Sequence, residues 1–330
     1  MTNALAARVA GEGAEAFALS ADVFEEAGNV VGVSVGPAPV EAQELLLEPG
    51  SPTVTVYLAE PMPHQHVRRI LADEMGVEDA ADPDLPLRTV VTGQIEALNH
   101  TFRIRPAPGG VSIGRADSRS AGTLGCLAQR RGGDGPDRLL LLTNNHVIAD
   151  LNAGRFGDPV VQPGRLDGGS MPGDQIAALE RFVRIDFSGG ENLVDCATAL
   201  VDPEQVRPDI VFLRDGRPQF FRVSSQPLDC RENLLVGKSG RTTQLTSGDV
   251  ESCAATVTVR FGDRTALFVD QIAVRGRNGD FSRPGDSGSL VWSLDEERRP
   301  VGLLFAGGSG RTFVNKIGHV LTALDVELVT

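Results

Sequence analysis

"RPGDSGSLVW", residues 283–292, sets a serine between an acid and a glycine in a short Gly-rich turn that runs straight into an apolar strand. Glycines on both sides of the Asp286–Ser287 pair allow a sharp backbone turn, so that the N–H groups of Gly285 and Ser287 can point to one spot. From average residue frequencies, a chance GDSGS in a chain of this length is on the order of 1 in 1000 or rarer. Ser287 is therefore a candidate nucleophile and the two N–H groups a candidate oxyanion hole, provided that a base and a carboxylate exist elsewhere.

Five histidines are available as the base: His64, His66, His100, His146 and His319. "LLLLTNNHVIAD" places His146 just after an apolar strand, at the kind of strand-end turn where a rigid sheet presents a side chain to a cleft. His64 and His66, in "PMPHQHV", have metal-like spacing but no acidic or thiol companion, and a loop is expected there. His100 and His319 have no motif around them. For the carboxylate, "NLVDCATALV" embeds Asp195 in an otherwise apolar strand, where an unpaired charge is costly unless a partner such as a histidine Nδ1–H meets it. Asp186 in "VRIDF" reads as a solvent-facing carboxylate on an edge strand.

Around these residues the sequence is rich in strands. "RLLLLT", "ERFVRIDF", "LVDCATALV", "ENLLVGKSG", "ATVTVRFG", "TALFVDQIAV", "GSLVWSL" and "VGLLFAGG" are each bounded by turn residues. Only "KIGHVLTALDVEL" near the end looks helical. Many closely spaced strands with few helices imply a mainly β domain, and residues 105–330 suffice for two six-stranded barrels. Ahead of them, "VVGVSVG", "TVTVYLAE", "HVRRILADEMG" and "LRTVVTGQIEAL" give a β-β-α-β order, a small α+β domain. The Pro-, Gly- and Ser-rich "RIRPAPGGVSIGRADSRS" reads as a linker, placing the domain boundary at residue 104.

The net charge of −13 is uneven, with 16 acids against four bases in residues 1–100. No basic face is offered to a nucleic acid; the acidity of the N-terminal domain reads as a solvated surface, with docking of a basic regulatory partner or homo-oligomer formation as the alternative. The opening residues have no basic start followed by an apolar core, and no run spans a bilayer, so a cytoplasmic protein without membrane contact is expected. Cys126, Cys196, Cys230 and Cys253 form no CxxC pair and are expected to be reduced and mostly buried. "GKSGRTT" evokes a phosphate loop, but Glu232 stands where that pattern needs glycine. A Gly-rich turn, with Arg241 and Thr242 bonding nearby backbone, is expected instead. Neither a metal nor an organic cofactor is called for.

The order His146, Asp195, Ser287 is the chymotrypsin order. "LTNNHV", "VDCATAL" and "GDSGS" resemble the three active-site motifs of trypsin-like serine peptidases with two β-barrels. "RPAPGGVSIGR", "AGTLG", "QPGRLDGG" and "VGKSGRTTQLTSGDV" resemble more narrowly the intracellular bacterial trypsin-like proteins related to the plant narrow-leaf proteins. The resemblance implies a serine endopeptidase acting on proteins or peptides, with Ser287 as nucleophile, His146 as base, Asp195 orienting it, and Gly285 and Ser287 forming the oxyanion hole. It also implies a primary specificity pocket with Phe281 at its base and Ala306, Gly307 and Gly308 as walls, favouring an apolar or aromatic side chain; Phe281 as an ordinary core residue is the equal alternative. Secreted relatives mature by exposing a new N-terminus whose ammonium pairs with the acid before the nucleophile. "SRSAGTLG" is a poor match to that step, so control by a partner, by oligomerisation or by the N-terminal domain is expected. A binding module with a latent triad, and a protein that cuts only itself, are the alternatives.

Overall fold

The computed structural model describes residues 28–37, 52–73, 86–92, 100–132, 139–214 and 216–329. The chain divides into two compact units, residues 1–97 and 98–330. In the first, strands β1 (Val30–Pro37) and β2 (Pro52–Leu58) are antiparallel, helix α1 (His64–Asp73) follows, and β3 (Leu87–Val91) lies parallel to β2. A parallel neighbour requires a crossover, and α1 belongs to it. Val67 and Leu71, one helical turn apart, are buried in one cluster with Val54, Val56, Leu58 and Leu87. Burying each of these side chains contributes about 1.5–3 kcal/mol. The β-β-α-β order matches the sequence reading, although β3 ends at Val91 and residues 93–99 of the expected longer strand lie outside the described residues. His64 and His66 open α1 instead of sitting in a loop, and His64 Nε2 meets Thr89 Oγ1 at 3.0 Å.

The second unit is mainly β. Its first half contains β4 (Ala107–Gly109), β5 (Ser112–Arg115), β6 (Gly122–Thr123), β7 (Cys126–Arg130), β8 (Leu139–Thr143), the short helix α2 (Asn145–Ile148), β9 (Pro159–Val161), β10 (Gln175–Phe182), β11 (Glu191–Asn192) and β12 (Ala197–Val201). β6 and β7 act as one kinked strand, pairing β5 at one end and β8 at the other. The ring β5, β6/β7, β8, β12, β10, β9 then closes as a six-stranded barrel. The expected linker is part of this barrel, since Ala107, Val111 and Ile113 are all 0% exposed. Its glycines permit close packing: a Cβ on Gly109 would lie 2.5 Å from the Gly125 carbonyl oxygen, and one on Gly114 2.7 Å from that of Ser120.

A hairpin that the sequence reading did not pick out, β13 (Val206–Arg214) and β14 (Arg217–Phe221), pairs with β4 and leads to the second barrel. That barrel comprises β15 (Leu235–Gly240), β16 (Gln244–Phe261), β17 (Arg264–Gly276), β18 (Leu290–Ser293), β19 (Pro300–Gly308) and β20 (Arg311–Lys316). β17 pairs with both β16 and β20, which closes six strands into a ring, and β11 adds to β17 from outside. Val236, Val250, Ile272, Val274, Leu304 and Val314 fill this barrel. Helix α3 (Ile317–Leu324) buries Ile317, Val320 and Leu324 in a cluster with Trp292 and Leu303, and β21 (Val326–Val329) then pairs with β7.

The cysteines correct one expectation. Cys126 and Cys196 are free and buried, but Cys230 and Cys253 are joined by a disulfide. The segment before β15 folds back beside β16, a proximity that spacing alone does not reveal. Disulfides persist chiefly in oxidising compartments, so this bond and the cytoplasmic expectation pull in opposite directions. No helix among the described residues is long and apolar enough to cross a membrane.

Candidate active site

β8 ends at Thr143 and α2 begins two residues later, which puts His146 on a single helical turn at the mouth of the first barrel. That turn is braced. The Asn145 side-chain N–H groups reach the Val183 carbonyl at 2.7 Å and Asn152 Oδ1 at 2.8 Å, while Asn145 Oδ1 accepts the Asn152 N–H at 3.1 Å. Asp195 lies in the segment entering β12 rather than within the strand, and it is 0% exposed. Its Oδ2 accepts the His146 Nδ1–H at 2.5 Å, and its Oδ1 accepts the His146 backbone N–H at 3.2 Å. Asp195 is held in turn: its N–H donates to Asn315 Oδ1 at 2.9 Å, and its carbonyl accepts from Asn144 Nδ2 at 2.7 Å. Asn315 Nδ2 then donates to Gln271 Oε1 at 2.7 Å. With the proton on Nδ1 directed at the carboxylate, the other nitrogen, Nε2, is left with a lone pair.

Asp186, the rival acid, faces solvent as expected, accepting from the N–H and hydroxyl of Ser188 at 2.6 Å each. His319 pairs with Asp270 at 2.8 Å. His100 is buried, shares a hydrogen bond of 3.0 Å with the Gly110 carbonyl, and is pushed down by burial to about 4. None of these residues lines the His146 cleft.

Ser287 lines that same cleft, from the second barrel. A trans peptide holds its N–H opposite its carbonyl, so whatever pins the Pro284 and Asp286 carbonyls also aims the Gly285 and Ser287 N–H groups. Thr242 Oγ1 donates to the Pro284 carbonyl at 2.8 Å, and the Ser289 hydroxyl donates to that of Asp286 at 2.6 Å. Among the described residues no acceptor takes the Gly285 or Ser287 N–H, which leaves both donors available. Gly285 has φ +101°, and a Cβ there would lie 2.4 Å from Thr242 Oγ1, so both the turn and the loop beneath it require glycine.

Asp286 is 0% exposed and points away from the cleft, under the turn. Its carboxylate accepts the N–H groups of Thr242 at 2.8 Å, Thr243 at 3.1 Å and Arg283 at 2.9 Å, and the Thr243 hydroxyl at 2.7 Å. The Lys238 ammonium, also 0% exposed, stands 3.6 Å from it. Burial pushes this lysine down from 10.5 to about 8, with the attraction of Asp286 opposing the shift. An internal cation thus meets this acid from within the same barrel. The signal was present in "VGKSG", because Lys238 shares strand parity, and so a sheet face, with Val236 of the core. Arg241 departs from its expected role: its side chain forks onto Asp167 at 2.6 and 2.5 Å instead of bonding nearby backbone.

The cleft is a cavity of about 420 Å³ running from His146 and Ser287 to Ala306, Gly307 and Gly308. Phe281 borders it but is only 1% exposed, its ring belonging to the core of the second barrel. Among the polar groups at this end are Ser282 and Thr312, whose hydroxyls are 2.6 Å apart. Neither was singled out from the sequence. Phe261, at the tip of β16, stacks obliquely on the His146 ring with centroids 5.6 Å apart.

The class defined by fold and site is a mainly β protein of two six-stranded barrels whose cleft is lined by a serine and a histidine, the histidine backed by a buried aspartate. No family model and no curated protein matches the chain. Among solved structures, it is similar to protease A of Thermobifida fusca at 16% identity and a TM-score of 0.47. A Nocardiopsis protease shows 18% identity and a TM-score of 0.48, and a Cellulomonas bogoriensis chymotrypsin 16% and 0.46. Each of these three likenesses covers 68% of this chain and 98% of the other.

Proposed function

We propose that this chain is a serine endopeptidase that works through an acyl-enzyme. The observation that carries the reading is the fully buried Asp195, which grips both Nδ1 and the backbone N–H of His146 while His146 and Ser287 face one cleft. Ser287 Oγ attacks the peptide carbonyl, His146 Nε2 takes the hydroxyl proton, and Asp195 stabilises the imidazolium that forms. The Gly285 and Ser287 N–H groups stabilise the oxyanion. His146 returns the proton to the leaving amine; water then repeats the sequence on the ester and frees Ser287. The Lys238–Asp286 pair supports a turn that is assembled without prior cleavage. The acidic N-terminal unit recruits or restrains rather than catalyses.

Fluorophosphonate labelling followed by intact mass tests this reading. A single adduct on the wild type, absent from Ser287→Ala and His146→Ala, is expected. A folded wild type that takes no adduct refutes it in favour of a binding module, and a mass loss on expression that depends on Ser287 marks self-processing.

A further inference from the structure

The cleft residues beyond the triad differ from the apolar pocket expected from sequence, and the difference points to a substrate. Phe281 is withdrawn into the barrel, so the end of the cleft beside Ser287 presents Ser282 and Thr312. A Cβ placed on Gly307 would lie 3.3 Å from Ser282 Oγ and 3.8 Å from Thr312 Oγ1, so the two hydroxyls sit directly against this bare stretch of wall. They have two protons between them. One is used in their mutual hydrogen bond of 2.6 Å, and the other has no acceptor among the described residues.

The charged groups lining the same cleft are mostly cationic: Arg260, Arg283 and Arg311 against the single carboxylate of Asp280. Asp280 is taken by Arg283 at 3.0 Å. Arg311 pairs at 2.5 Å with Glu251, but Glu251 is shared with Arg275 at 3.4 Å. Arg260 donates to the Gly262 carbonyl and has no carboxylate partner among the described residues. The surplus is therefore positive.

Resting on the peptidase reading, we propose that this pocket selects an acidic side chain, glutamate or aspartate, at the residue whose carbonyl Ser287 attacks. A carboxylate accepts the spare hydroxyl proton and sits in the field of the arginines. An apolar side chain leaves that hydroxyl covered and unpaired, and a lysine or arginine side chain meets like charge. Small walls at Ala306, Gly307 and Gly308 leave room for the side chain to reach the hydroxyl pair.

The test compares kcat/KM on peptides that differ only at this residue, with Glu, Gln, Asp, Leu, Phe and Lys. Glu should exceed its isostere Gln by about tenfold or more, the scale of one hydrogen bond to a charged group. That ratio should fall in Ser282→Ala/Thr312→Val, and in Arg260→Gln at low salt. Equal cleavage of Glu and Gln peptides, or a preference for Leu or Phe, overturns the proposal. Should Ser287 prove inert to fluorophosphonate, the peptidase reading fails first. Equilibrium binding of the same peptides to Ser287→Ala then judges the pocket alone, with tighter binding of Glu than Gln supporting acid selection and equal binding refuting it.

Discussion

Replacing Lys238 separates the charge beneath the oxyanion turn from the packing around it. The ammonium and the Asp286 carboxylate are both 0% exposed and 3.6 Å apart. Breaking such a pair from one side costs about 3–5 kcal/mol. Burial outweighs the attraction of Asp286 at this ammonium, and four further hydrogen bonds hold the carboxylate, so the loss for Lys238→Met falls well below that range. What the turn loses in alignment shows in rate, since removal of one oxyanion donor costs about 100- to 1000-fold. The decisive arm is pH. Because the folded pKa of Lys238 is about 8 against an ordinary 10.5, the ammonium is lost from the folded protein first, and the ion pair with it, as pH rises through about 8. Between those two values the unfolded chain holds more protons, so this group's contribution to stability rises with pH while the catalytic arrangement weakens. The fluorophosphonate labelling rate of the wild type should therefore fall with a midpoint near 8, without a matching fall in stability traceable to this group. Lys238→Arg, which stays charged, should abolish that alkaline limb, whereas Lys238→Met should be slow at every pH. A flat wild-type profile from pH 7 to about 9.5, or an unchanged limb in Lys238→Arg, would falsify the assignment.

Asp195→Asn should fold normally and lower the labelling rate by about four orders of magnitude at neutral pH, because an amide stabilises the wrong imidazole tautomer; a loss under tenfold would contradict the role given to Asp195. Gly285→Ala has to abolish labelling, since the residue sits at φ +101° with no room for a Cβ, and circular dichroism should show the barrels intact. Thr242→Val removes the pin on the Pro284 carbonyl and should slow labelling about 10- to 100-fold with little change in thermal midpoint, a result that retained full activity would exclude. Cys253→Ser opens a disulfide between residues 23 apart and should lower unfolding stability by about 3 kcal/mol in urea titrations, an effect that disappears if the wild type is measured under strong reductant.

The three candidate catalytic residues were legible because each combines local backbone demands with an unusual polar group: glycines around Ser287, a strand end before His146, a carboxylate in an apolar run at Asp195. The barrels were legible as alternating strands between turn residues. What failed was long-range. The stretch 103–120 has the composition of a linker, yet its glycines are there for close packing, which composition cannot distinguish from freedom. For Phe281 the sequence leaves pocket base and core equally open, because resemblance does not say to which side of the backbone a ring turns; the ring lies in the core. Lys238 was passed over because "GKSG" was tested only as a phosphate loop, although its parity with Val236 already put a charge in the core. The Cys230–Cys253 pairing depends on where a loop folds, which no spacing records.

The pairing of β21 with β7 has a consequence for the order in which the molecule can be made. The first barrel's ring spans residues 112–201, but one flank of β7 takes its strand partner from residues 326–329. During synthesis that flank stays an open edge while the whole second barrel is produced, and Ser287 is already in place before the edge is sealed. A nascent chain therefore passes through a stage in which the ring of the first barrel is complete and Ser287 has been made, but one edge of β7 is still bare. Pairing of β21 then seals that flank only after both barrels have been made.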